Sequence, residues 1–217
     1  MTPASQQALV GLRDLSTIQW YVIPFLAYTF YIYAGEVKKA RRLGDWNAVL
    51  AGLTVFGMDF INESVNGWIL HFSGHSALWT APGPTALRTM VGWNIEIMFM
   101  FIILGLIYHR TISDDPAEKI LGLPNRWFWA IGYSAFCVFV ECLLNLGGHL
   151  VWEYSFWKLS WGGIWLIFVF GYFTFFLAAL IVISLPSLRA KLVFTSSIYA
   201  VAVVLNLIGL GIMDWRY

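Results

Sequence analysis

Six apolar runs, each close to the length a bilayer crossing needs, leave this chain few alternatives to a membrane-embedded helical fold. A spanning helix requires roughly 20 mostly apolar residues. The runs fall at about 17–34, 46–70, 87–108, 127–150, 161–185 and 192–213. Between them lie Gly35 with the basic run Lys38-Lys39-Ala40-Arg41-Arg42, then Pro82-Gly83-Pro84, Asp114-Asp115-Pro116, Gly147-Gly148 and Leu185-Pro186-Ser187. These have loop chemistry, because proline and glycine punctuate helices. Of the 217 residues 59% are hydrophobic and 12% charged, roughly half the charge of a soluble domain. The predicted fold is therefore all-α: a single polytopic transmembrane helix bundle over residues 1–217, with six spans.

Charge distribution orients the bundle. With the N-terminus outside, the inner loops hold Lys38, Lys39, Arg41, Arg42, Arg110, Lys119, Arg126, Arg189 and Lys191, and the outer segments Arg13, Arg88, Lys158 and Arg216. Nine against four supports both termini on the outer side. Trp46, Trp79, Trp127, Trp152, Trp161 and Trp215 fall near span ends, as an aromatic belt places them. Net charge is +1, so nothing calls for nucleic acid. The expected surroundings are the lipid bilayer: a plasma membrane in a bacterium, the endoplasmic reticulum in a eukaryote.

Polar residues inside the runs carry the functional signal. Asp59, Asn62, Glu63 and Asn66 follow an i, i+3, i+4, i+7 pattern and share one helical face. Such a face must turn to the bundle interior or a hydrated cavity. The fourth run adds Glu141, Asn145 and His149 at intervals of four; the third adds Glu96 beside Trp93, and the sixth Asn206 and Asp214. At about 1.5 Å per residue, Asp59, Glu141 and Asn206 each lie about 20 Å from the inner boundary, and Glu96 lies at a similar level. Four runs thus bring polar groups to one depth, with His71, His75, His149, Glu153 and Asp214 above them. Glu63, His71 and His75, then Glu141, His149 and Glu153, repeat one spacing, echoed by Asn206 and Asp214. Three stacked hairpins or coincidence both account for it.

Buried amides often serve only as hydrogen-bond glue between helices, which is the plain reading of each Asn alone. Carboxylates cost several kcal/mol to bury unless paired or protonated, and apart from Arg88 at the outer edge of the third, no run contains a Lys or Arg. Asp59, Glu63, Glu96 and Glu141 must then share protons, bind a cation or sit protonated in a hydrated pocket. A protonated carboxylic acid in an apolar site can deliver a proton to an alkene or epoxide, and a second carboxylate can take one back. Asn62, Asn66, Trp68, Trp93, Asn145, Tyr172 and Asn206 are the candidates to line the substrate site, since aromatic faces stabilise cations. The alternative is a metal ion, haem or proton site using His71, His75, His149 and Glu153, or a non-catalytic subunit of a membrane complex. On the enzyme reading no cofactor is expected, and the partner is a lipophilic small molecule.

Size, short spans, Glu63 within Asn62-Glu63-Ser64-Val65-Asn66-Gly67-Trp68, and Asp214 within Gly211-Ile212-Met213-Asp214-Trp215 resemble the small integral-membrane terpene cyclases of meroterpenoid pathways. The resemblance implies cyclisation or isomerisation of an isoprenoid, with one acid in an early span and one near the last. Those would be Glu63 and Asp214. That family usually has seven spans, one more than the six read here.

Overall fold

The computed structural model describes all residues 1–217. Seven helices follow one another: α1 (Pro3–Val10), α2 (Val22–Leu43), α3 (Asn47–Ser73), α4 (Ile95–Thr111), α5 (Asn125–Leu146), α6 (Trp161–Ser184) and α7 (Leu188–Ile212). Six short strands pair into three two-stranded ladders: β1 (Trp79–Thr80) with β6 (Val151–Trp152), β2 (Arg88–Met90) with β3 (Trp93–Asn94), and β4 (Lys119–Ile120) with β5 (Leu123–Pro124). The first two ladders cap one end of the bundle; the third lies in the α4–α5 connection at the other, basic end.

Helix α3 is the axle, packing on α4, α6 and α7. It meets α4 where two glycines face each other. A Cβ on Gly105 would stand 2.7 Å from the Ala51 carbonyl and 2.8 Å from the Gly52 Cα. Bare backbone at both positions lets the helices touch directly, the usual way apolar helices associate where water supplies no drive. Against α7, α3 runs parallel and is tied by hydroxyl and amide contacts: Thr54 to Thr195 at 3.1 Å, and Asn206 Nδ2 donating to Ser64 Oγ at 2.6 Å. Leu50, Val55, Phe101, Phe175 and Phe176 form the centre of the largest buried cluster.

Four helices are long and apolar enough to cross a membrane: α3, α5, α6 and α7. The two remaining runs differ from their expected form. The first does not stop at residue 34. Helix α2 continues through Gly35 and the basic run, in which Lys38, Arg41 and Arg42 are exposed, and ends at Gly44 in the left-handed conformation (φ 74°). The third does not begin at residue 87. Residues 88–94 form the β2–β3 hairpin, so α4 starts at Ile95 and has 17 residues. Arg88 pairs with Asn94 and Met90 with Trp93 in that ladder before the helix begins. The N-terminal stretch ahead of the first run contains α1, capped by the Thr2 side chain.

Candidate functional site

Three carboxylates are buried inside the bundle, Asp59 and Glu63 from α3 and Glu141 from α5. Each accepts the indole N–H of a different tryptophan. Trp93 Nε1 donates to Asp59 Oδ2 at 2.6 Å, Trp79 Nε1 to Glu63 Oε1 at 2.7 Å, and Trp152 Nε1 to Glu141 Oε1 at 3.0 Å. All three tryptophans come from the capping ladders: Trp79 and Trp152 are direct cross-strand partners in β1–β6, and Trp93 belongs to β3. The cap therefore exists to aim three donors into the helix bundle. An indole donates one hydrogen bond and carries no charge, so the carboxylates are held in place without being neutralised.

The register of the cap is set from α3 itself. Asn66, one turn beyond Glu63, grips the Trp79 backbone at both ends: its Nδ2 donates to the Trp79 carbonyl at 2.8 Å and its Oδ1 accepts the Trp79 N–H at 3.2 Å. Asn62 reaches the other way and donates to the carbonyls of Phe170 and Gly171 at 3.2 and 3.3 Å. Those carbonyls lie in a π-helical stretch of α6, Ile167–Phe173. A π turn loosens the carbonyl ladder and is common at functional sites. Here it presents Gly171 and Tyr172 to the carboxylates.

Asp59, Asn62, Glu63, Glu141, Trp157 and Tyr172 line a chamber of about 40 Å³. Beside it an apolar pocket of about 100 Å³ lies between α4, α5 and α6, walled by Met100, Leu104, Phe136, Val140 and Leu144 among others. Ile97, Phe101, Glu141, Leu150 and Tyr172 border both spaces. The two spaces adjoin, one a polar half and the other an apolar half of the site, with Glu141 and Tyr172 in the wall between them. Two buried atoms of the polar half have no hydrogen-bond partner, Glu63 Oε2 and Trp157 Nε1.

With this geometry in view, comparison with known proteins places the chain. The model of a family described as an uncharacterized membrane protein family matches residues 2–211. The chain belongs to that family. A relative, an uncharacterized protein of Archaeoglobus fulgidus, is 41% identical over 214 residues, covering 99% of each chain. No solved structure matches. As a member of this family, the chain is a membrane protein with several apolar helices.

Several residues expected at the site stand elsewhere. Glu96 does not join the other carboxylates. It occupies the first turn of α4, where Oε1 accepts from the Tyr21 hydroxyl at 2.6 Å and the Ala86 N–H at 2.9 Å, and Oε2 accepts from Thr85 Oγ1 at 2.7 Å. The later start of α4 moved it to the helix N-terminus. Asp214 is exposed, beyond the end of α7, in a left-handed turn (φ 53°). The chain turns back there to bury Tyr217 instead, so the pair Glu63 and Asp214 is not assembled. Asn66 is occupied by the Trp79 backbone. Trp68 Nε1 donates to the Leu205 carbonyl, Asn145 Nδ2 to the Leu150 carbonyl, and Asn206 to Ser64 and Ala202, so all three serve as ties between segments. None of these lines the chamber.

The metal alternative loses its geometry in the same way. Helix α3 ends at Ser73, and Gly74 (φ 59°) turns the chain between His71 and His75. His71 lies against Trp215, with its Nε2 at 2.8 Å from the Arg216 carbonyl oxygen; His75 meets Tyr154 edge-on, and His149 is exposed. No three His, Cys, Asp or Glu side chains, Glu153 included, gather as ligands to a metal ion. Of the hairpin repeat, two members persist: Glu63 and Glu141 both meet indoles from the same ladder, while Asn206 does not.

What the sequence reading missed is Trp79, Trp152 and Trp157. The positions of Trp79 and Trp152 near run ends suggested a belt at the membrane surface, and Trp157 lies between two runs. A different signal was available. Buried carboxylates without Lys or Arg need neutral donors, and a tryptophan enclosed by protein needs an acceptor.

Proposed function

We propose that the chain is a membrane-embedded enzyme performing carboxylate acid–base chemistry, a cyclisation or isomerisation, on a lipophilic isoprenoid-like substrate. The observation that carries this reading is the junction of a cation-free carboxylate chamber with an apolar pocket at Glu141 and Tyr172. A hydrocarbon chain fits the apolar half and can enter laterally from lipid. Glu141, protonated, delivers its proton to an alkene carbon or an epoxide oxygen. The ring faces of Tyr172 and Phe101 border the developing cation. Asp59 and Glu63, one turn apart, take a proton back as the new double bond forms, so the reaction is redox-neutral with no net change of protons. In this reading α2 and α4 join the four long helices to give six crossings, with both termini outside. The 17 residues of α4 rise about 26 Å, and the chamber opens in the outer half.

Isotope exchange tests the reading. Purified protein in lipid nanodiscs, supplied in D₂O with long isoprenoid alkenes, is expected to form an isomeric product carrying one carbon-bound deuterium. Glu141→Gln is expected to form none while remaining folded by circular dichroism. Equal deuterium uptake in wild type and in Glu141→Gln would reject the chemistry.

A further inference from the structure

The unpartnered atoms of the chamber describe the group it accepts. Glu63 Oε2 lacks a donor and Trp157 Nε1 lacks an acceptor, although both residues are buried and both line the same space. Trp157 is held there by stacking on Trp79, with ring centroids 5.8 Å apart, and Trp79 is the tryptophan that binds the other oxygen of Glu63. A buried polar atom without a partner is costly. A head group that fits must therefore offer one donor and one acceptor together.

Chemical classes separate on this requirement. An ammonium head donates but leaves the Trp157 N–H unanswered. A ketone or ether accepts but leaves Glu63 unanswered. A phosphate or carboxylate meets three carboxylates and no Lys or Arg among the lining residues. A hydroxyl both donates and accepts. Size agrees, because about 40 Å³ is a few times the roughly 10–15 Å³ that one water requires.

We infer that the chamber seats the hydroxyl head of a lipophilic alcohol, donating to Glu63 Oε2 and accepting from Trp157 Nε1, with its hydrocarbon chain passing Glu141 and Tyr172 into the apolar pocket. The assignment rests on treating chamber and pocket as one substrate site. It makes Trp157 a binding residue and gives Glu63 the head group to hold as well as its share, with Asp59, of the returning proton.

The test is equilibrium binding to the full chain in nanodiscs, with empty nanodiscs subtracted. The probes are radiolabelled geranylgeraniol, its methyl ether, the corresponding amine and the corresponding hydrocarbon. The alcohol is expected to bind about tenfold tighter than each of the others, the size of one or two lost hydrogen bonds. Trp157→Phe and, independently, Glu63→Gln are expected to narrow that preference severalfold. Equal binding of all four probes, a preference for the amine, or an alcohol preference untouched by Trp157→Phe would each overturn the assignment. The wild-type comparison needs no variant to fold. Failure of the enzyme reading looks different: selective alcohol binding without deuterium incorporation removes the chemistry and keeps the alcohol, whereas deuterated product without alcohol preference does the reverse.

Discussion

Glu63 and Glu96 sit toward the same capped end of the bundle, yet the protein surrounds them in opposite ways. Glu96 receives two donors on one oxygen and one on the other, at the N-terminus of α4 where the helix dipole also favours negative charge. Its donors come from the α1–α2 connection and from the loop before β2, so it fastens three segments together. Glu63 receives a single neutral indole on one oxygen, and its second oxygen has no partner. A carboxylate with donors on both oxygens is a clamp. A carboxylate left half-engaged inside a cavity, in the company of Asp59 and Glu141, is open to a ligand or a proton.

The sharpest way to break this contrast is to remove one acid from each region. Glu63→Gln is expected to lower turnover by about 10²–10⁴-fold, the usual contribution of a positioned acid or base. Glu96→Gln is expected to leave it within about threefold, since general acid–base catalysis requires contact with the reacting group. Product formation measured on both variants in nanodiscs decides this. Equal losses would mean that the two glutamates do the same work.

The next effect concerns the indoles. Trp79→Phe keeps an aromatic ring in β1 and deletes the N–H, leaving Glu63 with no donor at either oxygen. The cost is about 1–3 kcal/mol of stability, read as a lowered midpoint of thermal unfolding in detergent. Turnover is expected to fall by up to about 10²-fold, as when a catalytic group shifts by an ångström. A stable variant with full activity would show that the cap only covers the cavity. Glu96→Gln belongs below this on stability. Its amide NH₂ must face at least one existing donor, and the expected loss is about 1–2 kcal/mol.

These differences also explain how much was legible in the sequence. The four long helices α3, α5, α6 and α7 were, because apolar runs about 20 residues long are what a membrane crossing needs. So were Asp59, Glu63 and Glu141, since a helical face of acids has to turn inward. Glu96 was misplaced because Trp93 and Asn94 are as apolar or as polar as a helix would tolerate there. Only the pairing of Arg88 with Asn94 across a hairpin shows that the helix has not yet begun. The cap itself was illegible for a related reason. Strands of two or three residues give no period to detect, and the contact from Asn66 to Trp79 that sets their register is tertiary.

The smallest effect is expected at Asp214. Its substitution by Asn removes the late acid that the resemblance to membrane terpene cyclases would require, but Asp214 is exposed and not among the residues lining the chamber. Exposed substitutions away from special features change stability by about 0.5 kcal/mol or less. The left-handed backbone at this position suits Asn as well as Asp. Asp214→Asn is therefore expected to retain full turnover and an unchanged unfolding midpoint. A loss of activity comparable to that of Glu63→Gln would move the catalytic centre toward the end of α7 and restore the early-and-late pair. Retention would leave Glu141, contributed by α5 and held by Trp152, as the second acid. The comparison between half-engaged and fully engaged carboxylates would then separate the catalytic acids from the rest.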